Sequence, residues 1–358
     1  MIGSAINIWN SVPASSNVEP DLRLDGRAWG LRGGDGSTIA VADDRVYVSD
    51  YNSNRILGFS EVPTSETATP DIVLGAPDIS TDTFAEHDFI TNGVPRSDGQ
   101  HLLIGDGYDK RLHCWTTIPT TSASTPTAVV DFADGVHALA LHDNTVVAAG
   151  PMNGLRAWVS GVPCAGRAPD VVYGSQIGSI TVESVQSLAL DGQYLYVLDS
   201  DGGLYIWDGL PESNEAPLFS LEPDIAGADI YSDGEHLSIS GRAFFGVMSI
   251  SDLGSDSQFT EIPDPGWSSA PGQGIVSGGH VFRADLGYNR VTAWERLDDA
   301  LAGVQPDVLL GATGTADTDP DTTQEGLFWP SQLGFDGQRL WVAEYKFSGR
   351  VVSFKLPE

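Results

Sequence analysis

Short apolar runs of four or five residues, separated by Asp-Gly and similar turns, recur along the whole chain. The clearest unit reads Leu188-Ala-Leu-Asp-Gly-Gln-Tyr-Leu-Tyr-Val-Leu-Asp199, then a short polar turn, then Gly203-Leu-Tyr-Ile-Trp207, then Leu210-Pro211. Runs of that length on either side of Asp-Gly predict antiparallel strands in hairpins. The turn recurs as Asp98-Gly99, Asp233-Gly234 and Asp336-Gly337, with looser versions at Asp43-Asp44, Asp143-Asn144 and Gly278-Gly279, giving seven hairpins. Second strands are predicted to begin near Val46, Leu102, Val146, Leu195, Leu237, Val281 and Leu340. Third strands carry an aromatic at Phe59, Trp115, Trp158, Trp207, Trp294 and Phe354, and the fifth unit has Ile250 there. An apolar residue and proline follow, as in Val62-Pro63, Ile118-Pro119 and Val162-Pro163. A fourth strand then opens on Pro-Asp, as in Asp71-Ile-Val-Leu74, Asp170-Val-Val-Tyr173 and Asp307-Val-Leu-Leu310.

Four short antiparallel strands per unit, repeated with no helix between them, bury both faces only by stacking sheet on sheet around a ring. The pattern therefore predicts an all-β chain, residues 1–358 forming a single β-propeller domain. Seven four-stranded blades are expected, with six or eight left open because both ends of the chain offer a third strand and only one is needed. Residues 1–26 hold Ile6-Asn-Ile-Trp9 and Pro20-Asp-Leu-Arg-Leu24, which read as the closing strands of the last blade. Residues 27–329 then supply blades one to six, and 330–358 the first strands of the last. An N-terminal strand at 20–24 that closes the ring would leave no free sheet edge.

The units resemble bacterial NHL-type propeller repeats. The resemblance is carried by Val48-Ser-Asp-Tyr-Asn-Ser-Asn-Arg-Ile56, Pro70-Asp-Ile-Val-Leu-Gly-Ala-Pro-Asp78 and Asp285-Leu-Gly-Tyr-Asn-Arg-Val291, and it covers nearly the whole chain. It implies a propeller fold and, for most members, a binding platform; a few members are enzymes.

Second strands end in an acid at Asp50, Asp106, Asp199, Asp285 and Glu344, and third strands open with Arg55, Arg111, Arg290 and Arg350. A turn of that length brings carboxylate and guanidinium to one end of the sheet, where a charge-assisted pair fixes the hairpin. Repetition favours a structural role for these ion pairs, since a catalytic residue is needed once. The same turns carry Tyr51, Tyr108, Tyr288 and Tyr345, candidates for an aromatic binding platform on the loop face. Asp199 and Asp201, and Asp317, Asp319 and Asp321, have the spacing of the first ligands of a calcium loop. Neither set completes one: the second has Thr322 where glycine is required and Phe328 where glutamate is required. Calcium is thus the one cofactor the sequence admits, and none is required. The seven histidines are scattered, three of them (His101, His236 and His280) at equivalent starts of second strands, while His137 enters an inner strand where it could face the channel. No serine-nucleophile elbow, phosphate-cradling loop or dinucleotide glycine pattern occurs.

Composition narrows the partners. The net charge is −31, from 49 acids, 35 of them Asp, against 18 bases of which three are lysines. Such a surface repels phosphate backbones, so neither nucleic acid nor a membrane is expected as a partner. An acid excess with almost no lysine suits a halophilic or marine source. Protein, peptide or carbohydrate partners remain, with a monomer expected. The start lacks the basic-then-apolar pattern of a secretory signal, which gives a cytoplasmic expectation, with an extracellular or cell-surface location as the alternative if the start has been trimmed. Cys114 and Cys164 allow one disulfide and leave the redox compartment open.

Two functions follow as expectations. One is a non-catalytic NHL-like propeller serving as a ligand- or protein-binding scaffold. The other is a metal-dependent hydrolase or lyase of the propeller type, using channel carboxylates and His137 around a divalent ion. The charge itself yields a test. At about 0.01 M salt the screening length is about 30 Å, comparable with a whole propeller, and at about 1 M it is about 3 Å. Melting temperature should therefore rise steeply with sodium or potassium chloride, equally for both. A melting temperature indifferent to chloride up to molar concentration would reject the halophilic reading.

Overall fold

The aspartates of Asp98-Gly99, Asp191-Gly192 and Asp233-Gly234 make the first turn of their units by capping the chain that follows. In the computed structural model Asp98 Oδ1 accepts the N–H groups of Gln100 (2.9 Å) and His101 (2.6 Å). Asp191 Oδ1 does the same for Gln193 and Tyr194, and Asp233 Oδ1 for Glu235 and His236. Gly99 and Gly234 adopt φ of 86° and 87°, the left-handed region that glycine enters without steric cost. The structure describes residues 6–9, 16, 22–24, 29, 39–42, 45–50, 53–65, 67–81, 93–122, 124–152, 154–221, 229–241, 244–251, 253–266, 268–320, 327–335, 339–344 and 351–355.

Six four-stranded antiparallel blades follow one another along the chain. Blade I comprises Ile39–Ala42, Arg45–Asp50, Arg55–Phe59 and Ile72–Leu74. Blade II comprises Gly93–Ser97, Leu102–Asp106, Arg111–Trp115 and Ala128–Asp131, and blade III Ala138–His142, Thr145–Ala149, Leu155–Trp158 and Val171–Val172. Blade IV has Val185–Leu190, Tyr194–Asp199, Leu204–Asp208 and Phe219–Leu221, and blade V Asp229–Ser232, His236–Gly241, Phe244–Ser249 and Thr260–Glu261. Blade VI has Pro271–Ser277, His280–Asp285, Arg290–Trp294 and Val308–Leu310. The protein is an all-β single propeller.

In blades I to IV and VI the third-strand tryptophan, the aspartate of Pro-Asp or its equivalent, or both, hold the outer strand in place. Trp115, Trp158, Trp207 and Trp294 donate their indole N–H to the carbonyls of Ser124, Arg167, Glu215 and Val304, eight to ten residues onward, clasping the loop to the fourth strand. Asp71, Asp170 and Asp307 accept the N–H of Ser60, Val159 and Glu295, the residue after each aromatic. In blade II, which has Pro126-Thr127 instead, Thr127 Oγ1 takes that place for Thr116. Apolar side chains then fill the seams between sheets. Tyr196, Leu198 and Ile206 of blade IV pack on Ile230, Leu237, Ile239 and Met248 of blade V, all buried. Cys114 of blade II and Cys164, in the loop after the third strand of blade III, form a disulfide within the seam between those blades.

The expectation of seven four-stranded blades is corrected: six blades have four strands, and the sheet that joins the two ends of the chain has five. It runs Pro330–Phe335, Arg339–Glu344, Val351–Lys355, Ile6–Trp9, Leu22–Leu24. Residues 22–24 do not pair with the C-terminal third strand as expected. They pair with Ile6–Trp9, which lies parallel to Val351–Lys355. Both third-strand segments are accommodated because each gives the other a hydrogen-bonding edge, which leaves neither one surplus. Leu333, Leu340 and Val342 of this terminal sheet pack with Ile275 and Phe282 of blade VI, and Trp341 packs with Val46, Val48 and Leu57 of blade I.

Deleting residues 1–26 should strip two strands from the terminal sheet and expose Val351–Lys355 as an unpaired edge. The expected outcome is aggregation in size-exclusion chromatography or a drop of several degrees in melting temperature. A monomer with unchanged melting would refute the pairing.

Candidate functional site

The acids that end the second strands tie backbone together. Asp199 accepts the N–H groups of Glu183 and Ser184 at 2.9 Å each, in the connection that enters blade IV, and that of Ser200 at 2.7 Å in its own turn. Asp285 accepts from Ser269 and Ala270 in the connection entering blade VI, and from Gly287 and Tyr288 in its own turn. Asp106 caps Tyr108 and Asp109, and Glu344 accepts from Phe328. These four carboxylates are essentially inaccessible, and multiple N–H donors are what make a buried carboxylate tolerable.

The arginines reach the connections as well, Arg290 the one that leaves its blade and Arg55 both the one that leaves and the one that enters. Arg55 Nε lies 2.9 Å from Asp50, while its two terminal nitrogens donate to the carbonyls of Ile79 and Trp29. Arg290 stands opposite Asp285 in register and donates to the carbonyls of Gly314, Thr315 and Asp317. The residue before each, Asn54 or Asn289, adopts positive φ in the turn, and Asn289 also binds Thr318 O and Trp329 N. Arg111 departs from this pattern: it is turned outward, 3.5 Å from an exposed Asp131.

Of the four tyrosines, Tyr108 stands 71% exposed on the loop face. Tyr288 is half-buried, with the Arg290 guanidinium 4.9 Å from its ring centre. Tyr51, Tyr345, Asp321 and Arg350 lie outside the described residues. Two of the calcium candidates accept hydrogen bonds from their own loops. Asp201 accepts from Gly203, and Asp317 accepts from the backbone and hydroxyl of Thr313. Those bonds hold the Asp317 carboxyl below its ordinary range. Asp319 is exposed beside it. Among the described residues no three His, Cys, Asp or Glu side chains come together as a metal site. His137, expected to face the channel, is exposed at the tip of its strand. Its ring lies over Gly107, where an added Cβ would meet it at 3.0 Å.

Two features escaped the sequence reading. The first is on the loop face: Met152 is 79% exposed, its N–H donates to Asp134, and segment 134–137, with exposed His137, runs between it and Tyr108. The second is the channel, a cavity of about 360 Å³ lined by first strands of all six blades and of the terminal sheet. On one side a polar collar links successive inner strands. Asp229 accepts from the Ser187 hydroxyl, from Ile230 N–H and from the Gln273 amide at 3.0 Å, and Gln273 Oε1 accepts Leu333 N–H at 2.7 Å. On the other side Arg96 donates to Leu139 O (3.1 Å) and Pro95 O (2.9 Å). Burial pushes the Arg96 pKa down and the charge of Asp229 pushes it back up. A signal for the collar was available: Pro271-Gly-Gln273 and Pro330-Ser-Gln332 repeat at the same blade position, each with an irregular register beside it.

No protein-family model matches the chain, and no curated protein does. Among solved structures it is similar to a computationally designed protein, Ika8, with a TM-score of 0.51 and 14% identity over 95% of this chain and 100% of that one. That likeness supports the fold alone. No helix among the described residues is long and apolar enough to cross a membrane.

The two kinds of arginine should separate on mutation. Arg290→Ala should cost about 1–3 kcal/mol in denaturant unfolding, because it removes a buried side chain that holds three loop carbonyls and faces the buried Asp285. Arg111→Ala should cost about 0–1 kcal/mol, as expected for an exposed pair. Equal costs would remove the distinction.

Proposed function

We propose that this protein is a non-catalytic, NHL-like recognition propeller that binds a protein or peptide partner on its loop face. The carrying observation is the exposed pair Tyr108 and Met152, on loops of adjacent blades whose backbone N–H groups are held by the buried Asp106 and the partly buried Asp134. A rigid aromatic and a flexible thioether exposed on the same face suit recognition, since both bury much apolar area and rigid loops lose little entropy on binding. Residues 1–358 are read as one domain, with the terminal sheet as the additional blade that closes the ring. Its packing between blades VI and I supports that reading. The metal-dependent hydrolase or lyase draws less support, because Asp199 and Asp317 already accept hydrogen bonds from their own loops.

Peptides selected on the wild-type protein from a random displayed library should bind the Tyr108→Ala/Met152→Ala variant about tenfold more weakly or worse, measured by titration. Equal binding to both proteins would overturn the loop-face reading. A melting temperature lowered by chelator would restore the metal alternative.

A further inference from the structure

Arg96 is an anomaly in this chain. Among 49 acids and only 18 bases, it stands on an inner strand, lines the axial cavity, and has no carboxylate within ion-pair distance among the described residues. Two of its nitrogens are held by carbonyls, Nε by Leu139 and Nη1 by Pro95, which fixes the plane of the guanidinium. Nη2 makes no hydrogen bond among the described residues, and Arg96 is only partly buried on the cavity wall, which leaves that edge of the guanidinium open to the channel. Its facing carboxylate, Asp229, stands across the channel and not in contact, so a donor edge of the guanidinium is left for an anion to complete.

We infer that the channel is a binding site for a small monocarboxylate, its carboxylate held by Arg96 and its neutral body lying along the inner strands. The inference rests on reading the protein as a binding propeller, but it uses a surface other than the loop face. The class of ligand follows from the walls. A planar guanidinium with an available edge suits a carboxylate. The volume of about 360 Å³ and a wall that exposes more polar than apolar surface suit a short neutral body. The opposite wall sets the charge limit: Asp229, fixed by three donors, presents a second carboxylate to whatever occupies the axis. A dicarboxylate or phosphate dianion would be repelled there, whereas a monoanion places its one charge at Arg96.

Titration of the full-length protein with propionate, succinate and inorganic phosphate, followed by calorimetry or ligand-observed NMR, tests the site. Propionate should saturate below about 10 mM, with succinate and phosphate weaker. Arg96→Gln, which keeps an amide donor and removes the charge, should weaken propionate about tenfold or more. Asp229→Asn should raise succinate affinity relative to propionate, and this second variant keeps the question open to test if the first does not fold. Absence of saturable propionate binding, equal binding by Arg96→Gln, a preference for phosphate, or an unchanged succinate-to-propionate ratio in Asp229→Asn would each overturn the inference. Capture of peptides on the loop face without propionate binding would overturn this site alone. Propionate binding without capture would overturn the loop-face reading alone.

Discussion

The carboxylates that end five of the seven second strands are the points on which the propeller depends. Sheet hydrogen bonds hold strands within a blade and apolar contacts hold blade to blade, but the connections between blades carry backbone N–H groups that neither satisfies. Asp199 and Asp285 each take a pair of those amides from the incoming connection and at least one more from their own turn. One buried charge thus fixes both the entry to a blade and the turn that forms its loop face. Arg55 and Arg290 extend the device to the outgoing connection, so charge at one blade tip positions chain on both sides of it.

Much of the architecture was legible because the repeated elements are local. An Asp-Gly turn, an aromatic in a third strand and a Pro-Asp before a fourth each solve a hydrogen-bonding problem within about a dozen residues, and each recurs at a fixed spacing. The five-stranded sheet was not legible in the same way. Ile6–Trp9 and Val351–Lys355 both read as third strands, and nothing local says that two such strands will lie parallel and share an edge. The acid and arginine positions were visible, but their partners were not. A carboxylate five residues from a guanidinium suggests a pair, whereas its main partners are amides brought from the preceding connection.

The channel was the least legible region, since its character comes from residues scattered over inner strands of different blades. Ser187, Asp229 and Gln273 are each unremarkable in sequence, and become a continuous hydrogen-bonded collar only when three first strands converge. The Pro-x-Gln repeat in two of the units hinted at a shared position without revealing what it faces. Arg96 carries the same lesson, because a lone arginine in a strand acquires meaning only from what surrounds the axis.

The cross-link between Cys114 and Cys164 bears on the unfolded chain as much as on the folded one. It closes a loop spanning 50 residues of sequence, and denatured conformations in which those positions drift apart are no longer accessible. In a propeller of similar sheets any seam can be the first to part, since each blade touches only its neighbours. Covalent closure of the seam between blades II and III removes one of those openings, so the disordered ensemble keeps two adjacent blades in proximity even after their packing is lost.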